Sequence, residues 1–286
     1  MSVDFLQPST WEDALAAKAE RPEAVPVAGG TDVMVELNFD RRRPEALLDL
    51  TRVRPLSQWT TDGSHVRIGA GVTYQRVIEE LGTRLPALAI ASRTVGSPQI
   101  RNRGTVGGNL GSASPAGDAH PPLLAADAVV ELASVRGVRR VPVAEFFTGP
   151  KRSVLAPDEL IAAVLVEPAR GPQQFAKVGT RNAMVIAVCS FAVVLDPSHE
   201  RVGTGIGSAA PTPRRALAAE EMLAGELPWQ SRESLPEGTV RRFGDLVAAA
   251  AAPIDDVRGT GAYRRHALAV MARRTLMWAW REYQCA

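Results

Sequence analysis

Gly104-Thr-Val-Gly-Gly-Asn-Leu-Gly-Ser-Ala-Ser-Pro-Ala-Gly-Asp118 carries four more glycines after its first residue, three hydroxyl side chains, one Asn and one Asp. It has almost no bulky apolar side chain, so it adds little to a core. Glycine removes the Cβ that would hold a ligand away from the backbone, so such a stretch can follow a phosphate-rich molecule closely. The run Pro121-Pro-Leu-Leu-Ala-Ala-Asp-Ala128 follows at once and reads as a helix entered through proline. A glycine loop feeding a helix suits an anion, because orphan N–H groups and the helix dipole point at it. By composition alone the same residues also suit a surface loop.

A second stretch near the N-terminus has the same character. Ala24-Val-Pro-Val-Ala28 reads as a buried strand, Gly29-Gly-Thr-Asp32 as a turn, and Val33-Met-Val-Glu-Leu37 as a helix. The order strand, glycine turn, helix is that of a phosphate loop. Neither G-x-G-x-x-G nor G-x-x-x-x-G-K-[ST] is present, which disfavours a nicotinamide-type Rossmann site and a P-loop. Thr31 and Asp32 also suit a helix cap, and Asn109 and Asp118 suit turns.

The 286 residues suffice for two domains. No apolar run reaches bilayer length, and Met1 to Pro8 lacks a basic region and an apolar signal core, so a cytoplasmic protein is expected. Cys189 and Cys285 are too few and too far apart for a disulfide scaffold or a metal cluster. The four histidines are dispersed without ligand spacing. Net charge is +2, and the Arg41-Arg-Arg43 triplet has no aromatic neighbours placed for base stacking. That disfavours nucleic-acid binding and favours a solvated or partner-facing patch. Gly203-Thr-Gly-Ile-Gly207 has the wrong spacing for a nucleotide loop and reads as strand.

Along the chain, helices are expected over Trp11–Glu20, from Thr73 to Leu81, over Pro86–Ser92, from Thr212 to Leu223, over Val240–Ala252 and over Ala262–Trp280. Strands are expected at Leu47–Leu50, His65–Gly71, Val129–Leu132, Arg139–Val143, Asp158–Val166, Gln174–Val178, Met184–Leu195 and Arg201–Gly207. A boundary falls in Pro168-Ala-Arg-Gly-Pro172, dividing a domain of residues 1–170 from one of residues 171–286.

Taken together, these segments resemble the FAD-binding (medium) subunit of molybdenum hydroxylases, the xanthine dehydrogenase and carbon monoxide dehydrogenase type. The resemblance is carried by Ala28-Gly-Gly-Thr-Asp32, by Ile100-Arg-Asn-Arg-Gly-Thr-Val-Gly-Gly-Asn109 running on through Ala113 to Asp118, and by Pro157–Ile161, Phe175–Lys177 and Gly179–Arg181. The tail Tyr263–Arg274 falls at the family's C-terminal helix. It spans essentially the whole chain in the expected order.

The resemblance implies an α+β fold. A two-subdomain FAD-binding domain of the vanillyl-alcohol-oxidase type is followed by a small C-terminal α+β domain, an antiparallel sheet packed on helices. It implies that Val27, Ala28, Gly29, Gly30, Thr31, Asp32 and Val33 form the first FAD loop. Thr105, Gly107, Gly108 and Asn109 form the second. Asp118 and Ser114 would contact hydroxyls, Val95 and Ile161 would flank the isoalloxazine ring, and Lys177 would reach the flavin. Val95 and Ile161 suit a plain core equally. Lys177 is one of only three lysines among 33 basic residues. No catalytic acid or base and no metal ligand is expected here. The implied partners are a small 2Fe-2S subunit and a large molybdopterin subunit, with NAD+, oxygen or another carrier as acceptor. A stand-alone flavin oxidase and a flavin-free scaffold are the other readings.

Overall fold

The computed structural model describes residues 3–286; Met1 and Ser2, which open the N-terminal stretch read above, lie outside the described residues. The chain begins with β1 (Asp4–Leu6), α1 (Trp11–Glu20), β2 (Val25–Val27), α2 (Val33–Asn38) and β3 (Ala46–Asp49). The three strands form a parallel sheet in the order β1-β3-β2. Thr10 caps α1, its hydroxyl accepting the Asp13 N–H at 3.1 Å. At the other end of that helix Lys18 is buried, its ammonium donating to the carbonyls of Pro22 and Ala24, both at 2.7 Å. Those bonds fix the turn that aims β2 and the glycine turn behind it.

A five-stranded antiparallel sheet follows. Its elements in chain order are β4 (Trp59–Asp62), β5 (His65–Gly69), α3 (Tyr74–Glu80), α4 (Pro86–Arg93), α5 (Pro98–Arg103), α6 (Val106–Ser112) and α7 (His120–Ala125). Then come β6 (Val129–Ser134), β7 (Gly137–Pro142), α8 (Val143–Phe146), the small hairpin β8 (Phe147–Gly149) and β9 (Arg152–Ser153), and β10 (Leu160–Val166). The sheet order is β4-β5-β10-β6-β7. β10 lies at its centre and is buried at every residue, as its unbroken apolar sequence requires. The organising stretch is not loop throughout, because α6 occupies its middle. Its glycines hid a helix that Thr105 starts, the hydroxyl accepting the Gly108 N–H at 2.9 Å.

The remaining chain forms β11 (Gln173–Val178), β12 (Cys189–Asp196), β13 (Arg201–Gly207), α9 (Leu217–Glu226), α10 (Glu237–Ala250) and α11 (Gly261–Cys285). The strands make an antiparallel sheet, β11-β12-β13, whose core side chains Phe191, Val193 and Leu195 pack with Phe243, Leu268 and Leu276 of the helices. Two expectations need correcting. Met184 to Val188 precede the strand instead of belonging to it. The helix expected from Thr212 begins at Leu217, because Arg214 still pairs with Ile206 and the Ala216 N–H is taken by the Thr204 hydroxyl.

The parallel and five-stranded sheets share one core and the C-terminal sheet has another, bridged by a small cluster of Ala91, Ala125, Phe175 and Ala192. Gly203-Thr-Gly-Ile-Gly207 explains itself here. Its glycines recur every second residue, so they share one face of β13. A Cβ on Gly203 would run into the Ala125 carbonyl, and one on Gly205 into the Pro121 carbonyl. The strand therefore lies backbone to backbone on α7, the helix that leaves the organising stretch. Ser208 extends the contact, its N–H donating to the Pro115 carbonyl at 2.9 Å.

Candidate cofactor site

The two glycine stretches meet. A Cβ on Gly29 would collide with the Arg103 carbonyl, and Gly104 faces the Thr31 hydroxyl. Gly30 is at φ +76°, the left-handed region that glycine enters without strain. Among the described residues, the backbone N–H groups of Gly29, Gly30, Thr31, Asp32 and Val33 have no protein acceptor. Asp32 stands at the N-cap of α2 but makes no side-chain capping bond. The cap that sequence alone allowed is thus not formed. A run of successive free N–H groups at a glycine turn can cradle an anion.

The second stretch is built differently. The N–H groups at the start of α6 are already used: Val106 donates to the Val72 carbonyl, Gly107 to Ala70, Gly108 to the Thr105 hydroxyl and Asn109 to the Thr105 carbonyl. Gly107 lies so close on Ala70 that a Cβ would not fit. This half of the site supplies a flat wall and the Asn109 side chain, whose Oδ1 is buried without a partner. Behind it His120 is fully buried against Phe147 and bonds the Asn109 carbonyl from Nε2 at 3.1 Å. Burial pushes its pKa down to about 4, so the ring is a neutral clamp at physiological pH.

Between them lies a cleft of about 750 Å³, inside the range of roughly 300–1,000 Å³ usual for cofactor sites. Ala28 to Val33, Val95, Thr105, Gly107, Gly108, Asn109 and Ile161 all line it. Val27, Ser114, Asp118 and Lys177 do not. Val27 sits one residue behind, its carbonyl taking the Leu50 N–H. Ser114 turns onto the Ala116 N–H at 3.3 Å. Asp118 and Lys177 pair with each other at 2.6 Å, both side chains largely buried, and the Lys177 ammonium also donates to the Thr94 carbonyl at 2.9 Å. That second bond holds the residue next to Val95. Burial raises the Asp118 carboxyl to about 6 despite the opposing pull of Lys177, and its Oδ1 has no partner.

Sequence reasoning missed Tyr74, Leu155 and Ala156, which also line the cleft, and the Lys151–Glu36 ion pair at 2.8 Å between two of its lining residues. Tyr74 gave no signal beyond following the cap residue Thr73. The arginine triplet is locally occupied: Arg41 lies over the Phe39 ring, Arg42 reaches Glu36 and Arg43 pairs with Asp40. Cys189 is buried, with its thiol pushed up to about 12 by burial, so it is an inert core residue. Among the described residues no group of His, Cys, Asp and Glu is placed to hold a metal ion, and no helix is long and apolar enough to cross a membrane.

A parallel sheet ending in a turn of free amides, beside a cleft walled by a glycine-rich helix, is suited to a phosphate-bearing cofactor. The chain belongs to the FAD-binding medium subunits of the molybdenum hydroxylases. The profile of the FAD binding domain in molybdopterin dehydrogenase matches residues 1–168, and that of the CO dehydrogenase flavoprotein C-terminal domain matches residues 174–279. The xanthine dehydrogenase FAD-binding subunit of Escherichia coli is 33% identical over 286 residues, covering 96% of this chain and 94% of that one. The nicotine 6-hydroxylase medium subunit of Paenarthrobacter nicotinovorans is 30% identical, covering 96% of each. Carbon monoxide dehydrogenase from Hydrogenophaga pseudoflava superposes with a TM-score of 0.90 at 28% identity, over 100% of this chain and 99% of that one.

Proposed function

We propose that this flavoprotein subunit is the electron outlet of a three-subunit molybdenum hydroxylase. Bound FAD would supply a carrier that takes electrons singly from the 2Fe-2S clusters of a small subunit and passes them to NAD+, oxygen or another acceptor, while substrate is oxidised at molybdopterin on a large subunit. The observation that carries the reading is the glycine turn from Gly29 to Val33 with its unpaired N–H groups, lining the same cleft as Asn109.

The chain's own residues have the following parts in this reading. Ala28 to Val33 donate to the diphosphate. Thr105, Gly107 and Gly108 shape the opposite wall, and Asn109 adds a polar side chain. Val95 and Ile161 enclose the apolar ring system and keep water from it. Asp118, Ser114, Lys177 and Val27 act from behind, holding loop positions. Residues 1–170 would hold the flavin and residues 171–286 would buttress it. Both cysteines are free thiols, which fits a reducing, cytoplasmic setting.

The test is a visible spectrum of the purified chain, alone and co-expressed with its partner subunits, with identification of the released flavin. A yellow protein that releases FAD and reduces an acceptor only in the complex supports the reading. A chain that oxidises substrate alone makes it an independent oxidase. A colourless complex makes it a scaffold.

A further inference from the structure

Six side-chain polar atoms are buried without a partner among the described residues, and they include Tyr74 Oη, Asn109 Oδ1 and Asp118 Oδ1. Asn109 and Asp118 belong to the stretch itself. Tyr74 does not, and nothing above gives it a role.

Its position is specific. Tyr74 is the first residue of α3, and its N–H donates to the Gly104 carbonyl at 3.0 Å. Its ring edge lies 3.4 Å from where a Cβ on Gly104 would be, and the Thr31 hydroxyl lies 3.5 Å from the same point. The ring is therefore held at the junction of the two glycine stretches, and the residue lines the cleft. Only 3% of the residue is exposed. Burial, then the carboxylates of Asp118 and Asp32, raise its ionisation well above the ordinary tyrosine value. It keeps its proton and has a donor to offer. A buried hydroxyl with no acceptor is costly, and proteins leave few of them unless a ligand or an ordered water completes the bond.

We propose that Tyr74 is a cofactor-binding residue whose Oη–H donates to an acceptor oxygen of FAD where the cofactor passes the junction of the two stretches. The proposal rests on the flavoprotein reading and adds to it a side-chain donor from outside both glycine stretches. The acceptor is a phosphate oxygen or an oxygen of the flavin half, and ADP separates the two, since it carries only the first.

The experiment is titration of FAD, and separately of ADP, into flavin-stripped full-length wild type and Tyr74→Phe, with the melting temperature of each apoprotein measured in parallel. Phenylalanine keeps the ring packing and removes only the hydroxyl. The expected result is FAD affinity about tenfold weaker, the size of one hydrogen bond to the ligand, with an apoprotein melting temperature equal to or above that of wild type. A parallel loss for ADP assigns the bond to a phosphate, and an unchanged ADP affinity assigns it to the flavin half. Equal FAD affinity in the two proteins would overturn the proposal in favour of an internal water, and so would a lower apoprotein melting temperature with FAD affinity unchanged, in favour of a partner within the chain. Wild type that takes up no FAD would overturn the flavoprotein reading itself, and this proposal with it.

Discussion

Asp118 and Lys177 are far apart in sequence, and each belongs to a different core, yet they form a buried pair. The sequence marked both residues individually: Asp118 ends a glycine-rich stretch, and Lys177 is a rare lysine in an arginine-biased chain. Their pairing was not legible, because nothing local relates β11 to the turn before α7. The energetic consequence is testable. Lys177→Met leaves a carboxylate buried without its cation and should cost about 3–5 kcal/mol at pH 7, measured by chemical denaturation. The loss should shrink as pH falls, because without the ammonium the buried carboxyl takes up a proton more readily than in the wild type. In the wild type the Asp118 carboxyl sits at about 6 when folded, against about 3.9 unfolded. Between those values the folded state binds more protons than the unfolded one. The contribution of Asp118 to stability is therefore greatest below pH 4, declines as pH rises to 6, and is flat above. Asp118→Asn should remove that slope, and a slope unchanged in the variant would refute the assignment.

At the scale of the element, the two glycine stretches look alike in sequence and behave differently. The first leaves its amides free; the second spends them on Ala70, Val72 and Thr105. The difference was hidden because glycine content says where backbone can approach, not which way an N–H points. Hydrogen exchange should expose it. Amides of Gly29 to Val33 should exchange quickly in the apoprotein and slow markedly when FAD is added, whereas those of Val106 to Asn109 should be protected in both. Equal protection of both stretches in the apoprotein would contradict the cradle. The α6 start depends on one hydroxyl, so Thr105→Ala should destabilise the apoprotein by about 1 kcal/mol, and Thr105→Ser should recover most of the loss. Most other elements were legible from period and punctuation. Central β10 was plain from seven consecutive apolar residues, while β4 was missed because Trp59-Thr-Thr-Asp62 is short, mostly exposed and polar.

For the whole molecule, the sequence marks a proline and glycine cluster after β10 but says nothing of how the cores on either side of it join. The deciding residues are Gly203 and Gly205, which sequence could place on one face of a strand without saying what that face meets. Gly205→Ala forces a methyl group into the α7 backbone and should cost about 1–3 kcal/mol. It should also weaken FAD binding, although Gly205 does not line the cleft. Gly225→Ala is the control, since a Cβ there meets nothing within 4 Å and the helix gains from it. Thermal melts with and without FAD separate the two. An unchanged FAD affinity in Gly205→Ala would mean that the cores act independently.

The seam of β13 on α7 has a mechanical meaning. Side chains between two packed surfaces act as bearings: they change rotamer, roll and let one surface slide over the other. Here that layer is missing along Gly203 and Gly205, and main chain rests on main chain. Two bodies joined in this way have no play. In the function proposed above, a subunit seated on the C-terminal half would be held at a set distance from the cleft, and distance is what a chain of electron hops can least allow to drift.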